Sequence, residues 1–101
     1  MEDYIGKTVK ANYYRGIEAV GGHIYFDKTG LVFGSHLANI QTGETRIEYK
    51  DINSVNKRNT LGFAPNGLSI FTNDKVQHKF VVYNRSSILE FLERVISITQ
   101  I

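Results

Sequence analysis

The chain has 101 residues, twelve Lys or Arg against ten Asp or Glu, and a formal net charge of +2. That length suffices for one hydrophobic core and is too short for two ordinary domains; the charge excess is too small for a nucleic-acid footprint, which needs a basic stripe. With no Cys, disulfides, thiolate metal sites and thiol nucleophiles are excluded together.

From the start, Met1 to Lys7 carries Glu2 and Asp3 where a secretory signal would be positive, and no apolar stretch follows. No apolar run approaches the ~18 residues of a membrane span. The expectation is one cytoplasmic domain over residues 1–101. Between Val9 and Val82 apolar residues recur mainly at a spacing of two, with turn residues every eight to twelve positions, the pattern of a sandwich or barrel. The first strand spans Val9 to Arg15 and turns Val9, Ala11 and Tyr13 to the core. A loop from Gly16 to Gly22 follows, then a hairpin of His23–Phe26 and Leu31–Phe33. Its turn is Asp27 to Gly30, with Asp opening it and Gly supplying a positive φ.

Next, Thr45 to Lys50 alternates, with Ile47 and Tyr49 inward and Arg46, Glu48 and Lys50 outward. A short turn at Ile52 precedes a strand near Ser54–Arg58. Ala64-Pro65-Asn66-Gly67 reads as a turn, and Leu68–Thr72 with Val76–Val82 as a last hairpin across Asn73, Asp74 and Lys75. The period then changes: Ile88, Phe91, Leu92 and Val95 fall on one helix face. Ser87 and Glu90 fit a capping box, and Leu89 with Ile96 form a second apolar stripe, a candidate self-association surface. The resulting fold class is mainly β, about seven antiparallel strands in a sandwich or partly open barrel, capped by one C-terminal α-helix.

That order of elements resembles the PH superfold, and three segments resemble its GRAM branch, as in small stand-alone bacterial proteins. They are Gly22 to Phe33, with its Gly-X-Ile-Tyr hairpin opening; Tyr49 to Val55, similar to an Asp-Ile-X-X-Val segment; and Pro65 to Ile70 followed by Lys79 to Val82. The resemblance covers residues 6–98 and implies a PH-like fold with a binding role. It does not name a ligand. Phosphoinositide-binding PH domains gather several cations on the early loops, whereas here residues 16–21 hold Glu18 and no cation, and residues 36–43 hold neither Lys nor Arg.

The residues offer little chemistry. His23, His36 and His78 are far apart, without metal-ligand spacing; His23 lies on an outward strand phase and His78 on the phase of the core. No nucleophile elbow or phosphate-cradling Gly loop is present, so neither catalysis nor a cofactor nor a metal is expected. The chemically suggestive patch is Lys57, Arg58, Leu61 and Phe63, two cations ahead of two apolar residues, the combination used by peripheral membrane proteins. The reading is a non-catalytic module that recognises a protein partner or a second copy of itself. Peripheral attachment to an anionic phospholipid surface is the alternative. A small-ligand or enzymatic pocket is the remote third, to be revived by a polar pocket joining His78 to a carboxylate.

Overall fold

Alternating apolar and polar positions build seven strands: β1 (Thr8–Arg15), β2 (Glu18–Phe26), β3 (Gly30–Ser35), β4 (Glu44–Glu48), β5 (Ile52–Thr60), β6 (Ala64–Thr72) and β7 (Gln77–Val82), followed by the helix α1 (Arg85–Thr99). The computed structural model describes residues 3–35, 44–60 and 64–99. All neighbours are antiparallel, in the order β4-β3-β2-β1-β7-β6-β5. β1 pairs with β2 along its whole length and with β7 through Ala11–Tyr13. It is therefore the strand about which the sheet folds over.

The inward residues meet as expected. Ile24 pairs with Phe33 and Phe26 with Leu31, and these four, with Ile47, Tyr49, Leu68, Ile70, Phe80 and Val82, are buried. At 0.8 kcal/mol or so per buried methylene, such a set dominates the stabilisation of a chain this short. α1 brings Ile88, Phe91 and Leu92 to the same core. Phe91 stands edge-on to Tyr4, Phe26 and Tyr49 at centroid distances of 5.6, 5.5 and 6.2 Å. Tyr4 donates its hydroxyl to Ser87 Oγ at 3.0 Å, tying the N-terminal segment to the helix.

Six local expectations are corrected. The glycine-rich stretch after β1 is strand, with only Gly16 and Ile17 between Arg15 and its partner Glu18; Gly16 has φ of 66°, the left-handed conformation a two-residue hairpin admits. Gly30 has no positive φ. Its missing side chain serves proximity instead, since a Cβ there would stand 2.6 Å from the Ile47 carbonyl oxygen. Tyr49–Asp51 forms a 3-10 turn and does not extend β4.

Residues 64–67 are the start of β6, not a turn. Arg58 pairs with Gly67 and Thr60 with Ala64, so two residues, Pro65 and Asn66, oppose one. A bulge is where a strand tolerates proline, because no ladder bond is lost. The helix begins at Arg85, its first bond running from Ile88 N to Asn84 O at 2.9 Å, so Ser87 lies inside the first turn and is not its cap. Leu89 and Ile96, expected as a second apolar stripe for self-association, are half-buried against the core, because a helix lying over an open sheet buries a wide arc. The exposed apolar residue of α1 is Ile98, at 62%.

Phe91→Ala should cost about 3–5 kcal/mol, as for large aromatic deletions, and Tyr4→Phe about 1 kcal/mol for its lost hydrogen bond. Urea denaturation followed by far-UV circular dichroism measures both.

Candidate functional site

Asp27 organises the β2–β3 turn. Its Oδ1 accepts from Thr29 N and Gly30 N at 2.9 and 2.8 Å, and its Oδ2 pairs with Arg46 Nη1 at 2.8 Å. Arg46 also bonds Glu48 through Nε, while Tyr49 donates to the Asp27 carbonyl at 2.8 Å. The Arg46 guanidinium and the Thr29 amide hold the Asp27 carboxyl well below the usual carboxylate range. Burial pushes the Tyr49 phenol up. One guanidinium thus satisfies two carboxylates, and the corner is closed on itself.

Beside it, between β4 and the β6–β7 hairpin, lies a cleft of about 570 Å³ lined by Arg46, Ile47, Glu48, Asp51, Thr72, Asn73, Asp74 and His78. It does join His78 to carboxylates. His78 is half-buried and stacked on Tyr13, with Nδ1 2.8 Å from the Tyr13 hydroxyl; burial lowers its pKa. Thr72 donates its hydroxyl to Asp74, which lowers the Asp74 pKa, and Oγ1 lies 3.2 Å from the Val76 carbonyl. The His78 nitrogen facing Tyr13 is therefore engaged, and the hydroxyl nearest Asp74 serves the hairpin turn. With His78 neutral, three carboxylates and one guanidinium give the lining a charge of −2, unsuited to a phosphate.

A second groove, of about 460 Å³, lies where β1 is shared between β2 and β7. Lys10, Ala11, Asn12, Gly21, Gly22, Asn66, Val81, Val82 and Tyr83 line it, and no carboxylate is among them. The registers place Lys10 beside His23, Asn12 beside Gly21 and Val81, and Lys79 beside Ser69 on the outward side of the sheet. Tyr83, just past β7, is 90% exposed.

Lys57 and Arg58 sit in β5, within the strand expected near Ser54–Arg58. Lys57 is paired with Leu68, on the inward phase, yet exposed at the end of the sheet. Arg58 lies outward, across Gly67, where a Cβ would stand 2.6 Å from Arg58 Cγ. Its guanidinium is 5.9 Å from the Tyr14 ring centre, and its carbonyl accepts from Arg85 Nη1 at 2.9 Å. Leu61, Phe63 and His36 fall outside the described residues. The reading of the sequence missed the Lys10 groove because its residues, 10–12, 21–22, 66 and 81–83, come together only through sheet registers.

Among the described residues no three His, Asp or Glu side chains gather as a metal-holding group, and no helix is long and apolar enough to cross a membrane.

Because His78 is held neutral, the unfolded chain takes up this proton first as pH falls. The His78 contribution to stability is present above about pH 6.5, the unperturbed imidazole value, and is lost below it. His78→Gln should flatten the stability profile between roughly pH 5 and 7, as read by urea midpoints at each pH.

No protein-family model matches the chain, and no curated protein matches its sequence. Solved structures do match in fold. The C-terminal domain of an unknown protein from Leishmania infantum superposes with a TM-score of 0.71 at 14% identity, over 88% of this chain and 84% of that one. Inner membrane complex sub-compartment protein 3 of Toxoplasma gondii gives 0.71 at 11% identity, over 93% and 77%. The Slm1 PH domain, solved in complex with phosphoserine, gives 0.64 at 9% identity, over 94% and 95%. At these identities the likeness is one of fold, and the seven-stranded half-barrel with its C-terminal helix is PH-like.

Proposed function

We propose that the chain is a non-catalytic, GRAM-type binding module, one domain over residues 1–101, that recognises a segment of a partner protein in the cytoplasm. The observation supporting this is the groove beside Lys10, an open depression on a paired sheet face with polar side chains around it and no reactive constellation. Concave clefts of a few hundred Å³ with a few converging polar groups are the usual form of a ligand-binding site. The segments that resemble GRAM domains fall in β2–β3, in the 3-10 turn with β5, and in β6–β7. A second copy of the chain is an alternative partner, with Ile98 as the exposed apolar contact.

A peripheral membrane reading rests on a separate observation. Tyr13 pairs with Phe80, and counting onward from 13 to 17 and back from 80 to 76 puts the β1–β2 and β6–β7 tips at the same end. Ile17 is fully exposed and Val76 is 42% exposed there, beside Lys75. Two apolar tips at one end suit an interface better than Lys57 and Arg58, of which Arg58 is held against Tyr14.

Two measurements separate the readings. Peptides selected from a random 12-residue display library should shift the amide resonances of residues 10–12, 21–22 and 81–83 in a ¹⁵N-labelled sample; a selection yielding no binder, or shifts elsewhere, rejects the groove. Sedimentation with anionic and neutral vesicles at low salt tests the tips. If they insert, anionic vesicles carry the protein down and Ile17→Asp releases it; a protein left in the supernatant rejects the membrane reading.

A further inference from the structure

The outward side of the sheet changes in charge from one end to the other. On the outward positions of β1, β2, β7, β6 and β5 the registers place Lys10, Asn12, His23, Lys79, Ser69 and Arg58. Three of these side chains are cationic and none is a carboxylate. The same outward face carries Glu44 and Glu48, with Arg46 between them, only at its far end on β4, and Asp51 and Asp74 lie on the 3-10 turn and the β6–β7 hairpin. Neither Lys10 nor Lys79 has an ion-pair partner among the described residues.

We infer that the groove beside Lys10 takes an acidic segment of a partner protein, a deepening that rests on the reading of the groove as the peptide site. Lys10 supplies the charge within the groove, and Lys79 and Arg58 extend it across the sheet. Asn12 offers an amide that donates to carboxylate oxygens, and Tyr83 a ring and a hydroxyl. With no carboxylate in the lining, an anion meets no like charge there.

The groove does not fit a bilayer. Of the large apolar side chains exposed among the described residues, Ile5, Ile17, Tyr25, Val76, Tyr83 and Ile98, only Tyr83 lines the groove. A membrane-docking face needs apolar residues to enter the interface as well as cations, whereas a peptide needs charge complementarity and a depression to lie in.

Fluorescence anisotropy with a labelled 12-residue Glu-Ser repeat, beside a Gln-Ser repeat of equal length, tests the inference. The Glu-Ser peptide should bind more tightly, and more weakly as salt rises. Lys10→Glu and Lys79→Glu should each weaken it about five-fold or more, the scale of one exposed charge pair. Lys50→Glu, an equal change of net charge on the 3-10 turn, should leave it within about two-fold. Equal affinity for the two repeats overturns the inference, and so does an equal loss from Lys50→Glu, which would mean attraction by net charge alone. Lys10-dependent binding to phosphatidylserine vesicles without peptide binding also overturns it. If library peptides map to the groove while the Glu-Ser repeat does not bind, the acidic preference falls and the peptide site stands.

Discussion

A seven-stranded sheet that does not close on itself leaves β4 and β5 as edges with the core open between them. Everything else depends on how that opening is sealed. Phe91, reaching in from α1, packs on Tyr4, Phe26 and Tyr49, which come from the N-terminal segment, β2 and the 3-10 turn between β4 and β5. Four separate parts of the chain are thereby held on one aromatic cluster, where edge-on rings add to the area they bury. The Arg85 guanidinium donates to the Arg58 carbonyl, tying the start of the helix to β5. On the other edge the β4 side chains Arg46 and Glu48 are locked into the Asp27 corner.

Sealing the core on one side leaves the other side of the sheet free to specialise. Carboxylates needed to hold turns, such as Asp27 and Asp74, collect at the ends of strands, because a carboxylate caps free amides best where the ladder stops. The outward positions from β2 across to β5 have no such duty and carry cations and amides. The two clefts therefore differ in kind: the His78 cleft is a by-product of turn chemistry and is acidic, while the Lys10 groove is lined by residues with no part in any turn.

How much of this could be read from residues alone follows from the range of each signal. Period-two alternation found the strands, and the i, i+3, i+4, i+7 spacing found α1, because both are local patterns. Glycine and proline misled in three places. Gly21-Gly22 and Pro65-Gly67 read as loop and turn by propensity, yet they lie in strands. At Gly22 an added Cβ would stand 2.2 Å from the Gly34 carbonyl oxygen, and at Gly67 2.6 Å from Arg58 Cγ, so these residues are small because a neighbour is close. Gly30 was read as a positive-φ residue for the same reason. Close approach is a tertiary fact with no local signature. The Lys10 groove was illegible on the same ground, and the strand expected to end near Arg58 runs on to Thr60 because Ala64, expected in a turn, pairs there.

Arg58 shows how a conspicuous sequence feature can hold a surface without being free to act on it. An arginine beside a lysine ahead of apolar residues suggests a charge aimed at solvent. Here Gly67 lets the side chain lie flat across β6, where its guanidinium meets the Tyr14 ring; a planar cation against an aromatic face keeps its charge while losing its reach. Its field still adds to that of Lys10 and Lys79, so it contributes to the sign of the face more than to any single contact. The direct contacts fall to the residue that sequence context does not mark out, Lys10, an ordinary outward lysine in β1 that the registers place over a carboxylate-free groove.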